Sequence, residues 1–425
     1  MSTEKTTTDQ TPPPAVEQAI DPRLLVREEG FKGYWTEFKR KLRGGELGSL
    51  PVIIGLIIIW AIFGVKGTNF LTADNISAVL YYMCGIGTLA IGLVFVLLLG
   101  EIDLAVGSVS GLAAAIFAVL SVSHGVNIWL AAVLTLITGI AIGSLHGWIF
   151  AKIGVPAFVV TLAGFLGWQG LMLWILGSTG TINLPDTGVI HLLGGNSFFM
   201  GGDIAGGYIL AIVATVAVAL SQLNEQRRRR AAKVLFRPTS EIALRTALVA
   251  VVSFLAAYVL NQSKGVPNVL VLFLILLIVC DFVLRRTSYG RKVFAVGGNI
   301  EASRRAGISV PMIRISVYAI SGFFAALGGL IIAAQISSAN QGGSDPNNLM
   351  LAIASAVIGG TSLFGGRGRV WSALLGVLVI QSIKTGLDNL GLQLSIQYMI
   401  TGAVLLAAVI IDSLSRQTQK SSGRA

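Results

Sequence analysis

RRTSYGRKVFAVGGNIEASRRAGISVP, residues 285–311, stands between two long apolar runs at 266–284 and 312–335. A polar, arginine-bearing island kept between lipid-length runs has two readings, a well-capped surface loop or a folded surface that meets another protein in water. Within it, Asn299 is a suitable N-cap for a short helix predicted over Ile300–Ala306, because its side-chain oxygen can accept from a backbone N–H of the first turn. Glu301 then lies at the positive end of that helix's dipole. Gly307 falls where the helix must stop, and Pro311 suits the first turn of the helix that follows.

The 425-residue chain outside the island explains why it is exceptional. It is 54% hydrophobic and only 12% charged, with a mean hydropathy of +0.78. Such a composition excludes an ordinary soluble domain and predicts an all-α, polytopic transmembrane bundle. A helix needs about 20 apolar residues to cross roughly 30 Å of hydrocarbon, and about twelve runs qualify, some short or interrupted. They lie at 50–65, 76–99, 104–122, 127–151, 155–177, 207–221, 241–260, 266–284, 312–335, 349–361, 370–387 and 394–412.

The net charge of +11 reads as a topology signal, with no nucleic-acid partner implied. One loop carries Arg227, Arg228, Arg229, Arg230, Lys233 and Arg237, and the island carries Arg285, Arg286, Arg291, Lys292, Arg304 and Arg305. The loops of opposite parity hold little more than Lys66 and Lys264. Placing both Arg-rich loops inside also puts both termini inside, with Lys39, Arg40, Lys41 and Arg43 at one end and Arg416 and Lys420 at the other, as the positive-inside rule requires. Residues 1–45 are expected to be a disordered or peripheral cytoplasmic region, polar at its start (TEKTTTDQTPPPAVEQ). Residues 46–415 form the expected membrane domain, with a cytoplasmic region at 285–311, and 416–425 a cytoplasmic tail. No cleavable signal peptide precedes the first span, which is therefore expected to be retained as an anchor. Cys84 and Cys280 lie in apolar runs and read as small hydrophobes.

Gly139, Gly143 and Gly147, four residues apart, line one helix face and predict close helix packing, and Gly322, Ala325, Ala326, Gly328 and Gly329 make a related face in the ninth run. Two other stretches, Gly100–Ser108 (GEIDLAVGS) and Ile358–Arg369 (IGGTSLFGGRGR), join apolar runs with almost no loop. Repeated broken elements can offer free backbone groups to a polar substrate.

Glu101 and Asp103 are two residues apart and would not share a helix face, so they are not an acid/base dyad by spacing. Two readings stay open: a polar element beside a pathway, or a cap at the cytoplasmic membrane edge for a helix starting near Leu104. GGTSLFGGRGR lacks the Gly-Lys-Ser/Thr of a nucleotide-binding loop, so this chain is not the ATPase of any assembly it joins. His124, His146 and His191 stand apart, reading as packing or loop residues, and Lys384 and Asp388 are spaced to pair or to reach the interface.

GEIDLAVGS, GVPAFVVTL (154–162), YGRKVFAVGGNIEASRRAGISV (289–310) and AIASAVIGGTSLFGGRGR (352–369) resemble, in order, the signatures of permease subunits of ribose- and xylose-type ABC sugar importers, over residues 50 to 412. The resemblance implies a core of about ten spans, a homodimer in the plasma membrane, a cytoplasmic ATPase and an extracytoplasmic sugar-binding protein. It also implies no enzymatic activity of the chain alone and no bound cofactor, ATP and Mg belonging to the ATPase. Gly297, Gly298, Asn299, Glu301, Ala302, Arg305 and Gly307 become the element that couples to that ATPase. The added pair of apolar runs at 207–265 is more similar to the xylose permeases and points to xylose or another pentose. An uncharged sugar needs hydrogen bonds to offset its desolvation, and the candidate lining groups are Glu101, Asp103, Ser108, Thr161, Gln169, Asn340 and Gln341. The alternatives are a branched-chain amino acid permease of similar core, or an ion-coupled secondary transporter for which Glu101, Asp103 and Lys384 are the only material.

Overall fold

A computed structural model describes residues 50–421 apart from 68, 196, 233–235, 237 and 345. The N-terminal region with Lys39–Arg43, and also Lys233, Arg237 and the last four residues, lie outside the described residues. Each apolar run read from the sequence coincides with a helix or lies inside one, to within a few residues at its ends. In chain order these are α1 (Leu50–Lys66), α2 (Ala73–Leu98), α3 (Val106–Ala118), α4 (Ile128–Trp148) and α5 (Ala157–Leu176). After strand β1 (Thr181–Asn183) come the short α6 (Gly188–Leu193), then α7 (Ile204–Ala231), α8 (Thr239–Asn261), α9 (Asn268–Arg286), α10 (Ser288–Gly298) and α11 (Ile300–Arg305). The long α12 (Val310–Ile336) leads through strand β2 (Ser338–Asn340) to α13 (Pro346–Ile358), α14 (Trp371–Asn389) and α15 (Leu394–Ser421). Eight helices among the described residues are long and apolar enough to cross a membrane, and three shorter apolar helices accompany them. One unit is Gly48–Asp412; a second comprises Met1–Leu47 and Ser413–Ala425, of which only the end of α15 is described.

The centre of the unit is α2, α3 and α12. Every residue from Met83 to Leu99 is buried, which is why the sequence there is apolar all round and shows no polar face. Lipid tails are as apolar as leucine, so helices in a membrane are held by close van der Waals approach, and small residues supply it. A Cβ on Gly139 would strike the carbonyl oxygen of Gly322, and one on Gly143 that of Tyr318; at Gly147 it would come 2.8 Å from the Cα of Ile315. The three-glycine face of α4 therefore seats backbone on backbone against α12, as its spacing predicts. Gly329, on another face of α12, lies against the Ser110 carbonyl of α3. Cys84 and Cys280 are buried and free.

The pair α7 and α8 packs on itself at the periphery. Val213, Leu220, Leu248 and Val251 are more than half exposed, as lipid-facing side chains are. At one end of this pair the exposed Arg227–Arg230 cluster closes α7. At the other end lie the contacts of Ser263 with Asp74 (2.6 Å) and of Asn389 with Asn75 (3.1 Å). The antiparallel pairing of β1 with β2 joins the segment after α5 to the segment after α12.

Candidate functional site

The island folds as two helices where the sequence reading expected one. Thr287 caps α10, its hydroxyl accepting from the Gly290 N–H (3.3 Å). Val293 and Val296 face inward, and the Tyr289 hydroxyl meets Ser316 Oγ of α12 at 2.9 Å. Asn299 then caps α11 by accepting from the Ala302 N–H at 2.9 Å. Gly307, at φ +77°, ends α11 in a paired closure: its N–H donates to the Arg304 carbonyl and that of Ile308 to the Ser303 carbonyl, both at 3.0 Å. This 5→2 and 6→1 pattern is the Schellman motif that a left-handed glycine permits. Glu301, Ala302, Arg304, Arg305 and Gly307 are exposed, with Glu301 paired to Arg304 at 2.9 Å. Pro311 sits in the first turn of α12.

The two broken stretches meet the island at a junction built from glycine. Both preceding helices end alike: at α2 the Gly100 and Glu101 N–H groups donate to Leu97 and Val96, and at α13 those of Gly360 and Thr361 donate to Val357 and Ala356. Gly100 and Gly360 take φ of +78° and +103° to allow it. The Gly366 N–H then donates to the Leu98 carbonyl at 2.9 Å, tying the second break to the end of α2. A Cβ on Gly297 would fall on that same Leu98 oxygen, and one on Gly365 would lie 2.8 Å from the Gly297 oxygen. Three chain segments thus touch through bare backbone. Neither break interrupts a helix part-way, and the carbonyl of Leu98 is already taken.

Asp103 is buried at 3% exposure and bridges two elements. Oδ1 accepts from the Ala105 N–H at 3.0 Å, and Oδ2 accepts from Ser321 Oγ of α12 at 2.8 Å. One oxygen closes the local turn just before α3 and the other makes a long-range anchor to α12; the N-cap position of α3 is Ala105, which carries no side-chain cap bond. His146 is within electrostatic reach of it, and Trp168 Nε1 donates to His146 Nε2 at 2.9 Å. That nitrogen must carry a lone pair, placing the proton of a neutral ring on Nδ1. Glu101 Oε1 lies 3.6 Å from Arg314, which stacks 4.2 Å from the centre of the Phe150 ring. Burial pushes the Glu101 carboxyl above its ordinary pKa, and Arg314 opposes that rise.

Residues 75–409 match the family described as "Branched-chain amino acid transport system / permease component". The chain is 34% identical to the xylose transport system permease protein XylH of Haemophilus influenzae, over 89% of this chain and 99% of that protein. It is also 34% identical to XylH of Escherichia coli K12, over 86% and 92% of the two chains, and 32% identical to the ribose import permease RbsC of Bacillus subtilis, over 89% and 96%. No solved structure matches it. The chain belongs to the ribose/xylose-type family of ABC sugar-importer permeases.

The permease is a multi-pass plasma-membrane protein. Of the polar residues read from the sequence, Thr161 and Gln169 lie on α5. The Thr161 hydroxyl lies at one end, donating to Ala157 (3.0 Å) and reaching the Ile102 carbonyl of the first break at 3.5 Å. Half-buried Gln169 is two turns further on. Gln341 packs against Gly180, just beyond the other end of α5, and Asn340 pairs with Thr181 across the strands. Ser108 is turned to its own helix, donating to Ala105 (3.0 Å). Asp388 accepts from Gln397 (2.8 Å), a partner the reading of Lys384 and Asp388 did not include. Sequence reasoning also missed Arg314, Ser321 and Trp168 as partners of Glu101, Asp103 and His146. No spacing rule connects Asp103 to a serine 218 residues away.

Proposed function

We propose that the permease carries xylose or another pentose into the cell as a homodimer, driven by a cytoplasmic ATPase that docks on α10 and α11. ATP and Mg belong to that ATPase, and an extracytoplasmic binding protein delivers the sugar. The observation that carries this reading is the glycine junction. A push on α11 reaches the end of α2 and the 359–369 loop through backbone contacts with no flexible side chain between them. Rigid contact of that kind suits a coupling element, because packed interfaces switch between arrangements and do not deform continuously. Gly297, Gly298, Asn299, Glu301, Ala302, Arg305 and Gly307 form the coupling surface.

The sugar path runs beside α5, whose outer face is open. Phe158, Leu166 and Trp174 are well exposed there, and a second copy of the permease would close it. Glu101, Asp103, Ser108, Thr161, Gln169, Asn340 and Gln341 mark its polar points, with Asp103 holding α3 to α12. The topology has about twelve spans, both termini and the 285–311 island cytoplasmic, the membrane domain spanning 46–415. The names and coverage of the xylose permeases support the pentose over a branched-chain amino acid.

Proteoliposomes holding the permease, its ATPase and its binding protein test the reading, with ATP inside and labelled xylose, ribose or leucine outside. ATP-dependent xylose uptake is expected. Leucine uptake without sugar uptake would favour the amino acid reading, and uptake without ATP that an uncoupler abolishes would favour an ion-coupled carrier.

A further inference from the structure

We propose that Phe364, at the tip of the loop between α13 and α14, is an aromatic anchor for the cytoplasmic ATPase, a second contact beside α11. The proposal rests on the reading of the α10–α11 island as the docking face. Phe364 is 76% exposed, although Thr361 and Ser362 in the same loop are buried and Leu363 packs on the core. Many apolar side chains of this protein are exposed on helices that face lipid. Phe364 is on a loop, on the face that carries the island's arginines, with Arg367 and Arg369 beside it.

The loop holds the backbone at Phe364 in place. The Ser362 N–H donates to the Arg367 carbonyl at 3.0 Å, and the Phe364 N–H donates to Ser362 Oγ at 3.0 Å. Gly366 is bonded to Leu98, and a Cβ on it would lie 3.2 Å from the Cα of Gly298, two residues before α11 begins. An aromatic carried on an ordered backbone loses less freedom on binding, and buried aromatics ringed by polar residues dominate interface energies.

Size decides the occupant. α11 has six residues and is roughly 9 Å long, too short to supply by itself the ~800 Å² that each partner contributes to a stable interface. A protein seated on α11 must spread beyond it, and the 359–369 loop is the segment joined to the island by backbone contact. The partner surface this fits is an apolar pocket for the ring, rimmed by carboxylates that face Arg305 and Arg369.

The test measures binding of the separately purified ATPase to the permease in detergent and in nanodiscs. Phe364→Ala is expected to weaken binding by about tenfold or more, and Phe364→Trp to retain it. A cysteine at position 364, with Cys84 and Cys280 buried, is expected to cross-link to the ATPase. Unchanged binding by Phe364→Ala overturns the anchor. So does an effect seen only in nanodiscs, which assigns the ring to the lipid headgroup region. Glu301→Arg separates the two readings. If it weakens ATPase binding while Phe364→Ala does not, the island remains the docking face and the anchor is wrong; if neither variant has an effect, both readings fall.

Discussion

Gly297→Ala and Gly298→Ala are neighbouring substitutions with opposite expected outcomes. Both residues belong to α10, and neither has the positive φ that would forbid a side chain. Intrinsic propensity favours alanine by about 1 kcal/mol in a helix interior. At Gly298 a Cβ meets nothing within 4 Å, so the change should be neutral or slightly stabilising. At Gly297 it falls on the Leu98 carbonyl oxygen, a backbone atom that cannot rotate away. Relief requires α10 and the end of α2 to separate, an overpacking cost of about 1–3 kcal/mol. Loss of the Gly366–Leu98 hydrogen bond adds about 1 kcal/mol. Set against the propensity gain, the net destabilisation is about 1–3 kcal/mol. The assay is thermal unfolding of the purified permease in detergent beside ATP-driven sugar uptake at matched protein amounts. Gly297→Ala should lower both, and Gly298→Ala neither. If the two variants behave alike, the junction is not a close-packed contact and the coupling route drawn through it fails.

Gly143→Val should prevent α4 from seating on α12, because its side chain would occupy the space of the Tyr318 carbonyl, and the yield of monodisperse protein on size-exclusion chromatography checks this. Gly307→Val should cost about 1–2 kcal/mol by forcing a left-handed Cβ and should reduce stimulation of the ATPase, while Gly307→Asn, which tolerates that conformation, should do so less; equal loss by both would point to side-chain contact in place of backbone strain. Asp103→Asn should leave insertion intact, since an amide oxygen can still accept from Ala105 while Ser321 reorients. Asp103→Leu leaves both donors unpaired, which costs about 1–3 kcal/mol for each buried group, and transport at matched protein amounts then reads any separate pathway role of the charge. A cysteine placed at position 228 should be labelled only after the membrane is opened; labelling in sealed cells would reverse the topology.

The position and ends of the helices were legible because the forces that set them act over a few residues. Asn299, Gly307 and Pro311 each act on the nearest turn, and the structure places them as cap, stop and first-turn residue. The glycines of α4 were readable as a packing face for the same reason, since four-residue spacing alone puts them on one side. α10 was missed because the sequence reading placed only Ile300–Ala306 of the island in a helix. Its start was nonetheless visible in Thr287 and in the three-residue spacing of Val293 and Val296.

By itself the sequence determined that this is a multi-span helical membrane protein and which runs are helical, and its arginine clusters supply the expected sidedness of the loops. Length, apolarity and charge suffice for those properties. Only the tertiary structure decided that Asp103 ties α3 to α12, that Glu101 faces Arg314, and that Gly100, Gly297, Gly365 and Gly366 converge. A glycine that allows a turn and a glycine that admits another backbone are the same letter in a sequence. They are told apart by what approaches within van der Waals distance, and here the approaching atoms belong to segments far away along the chain.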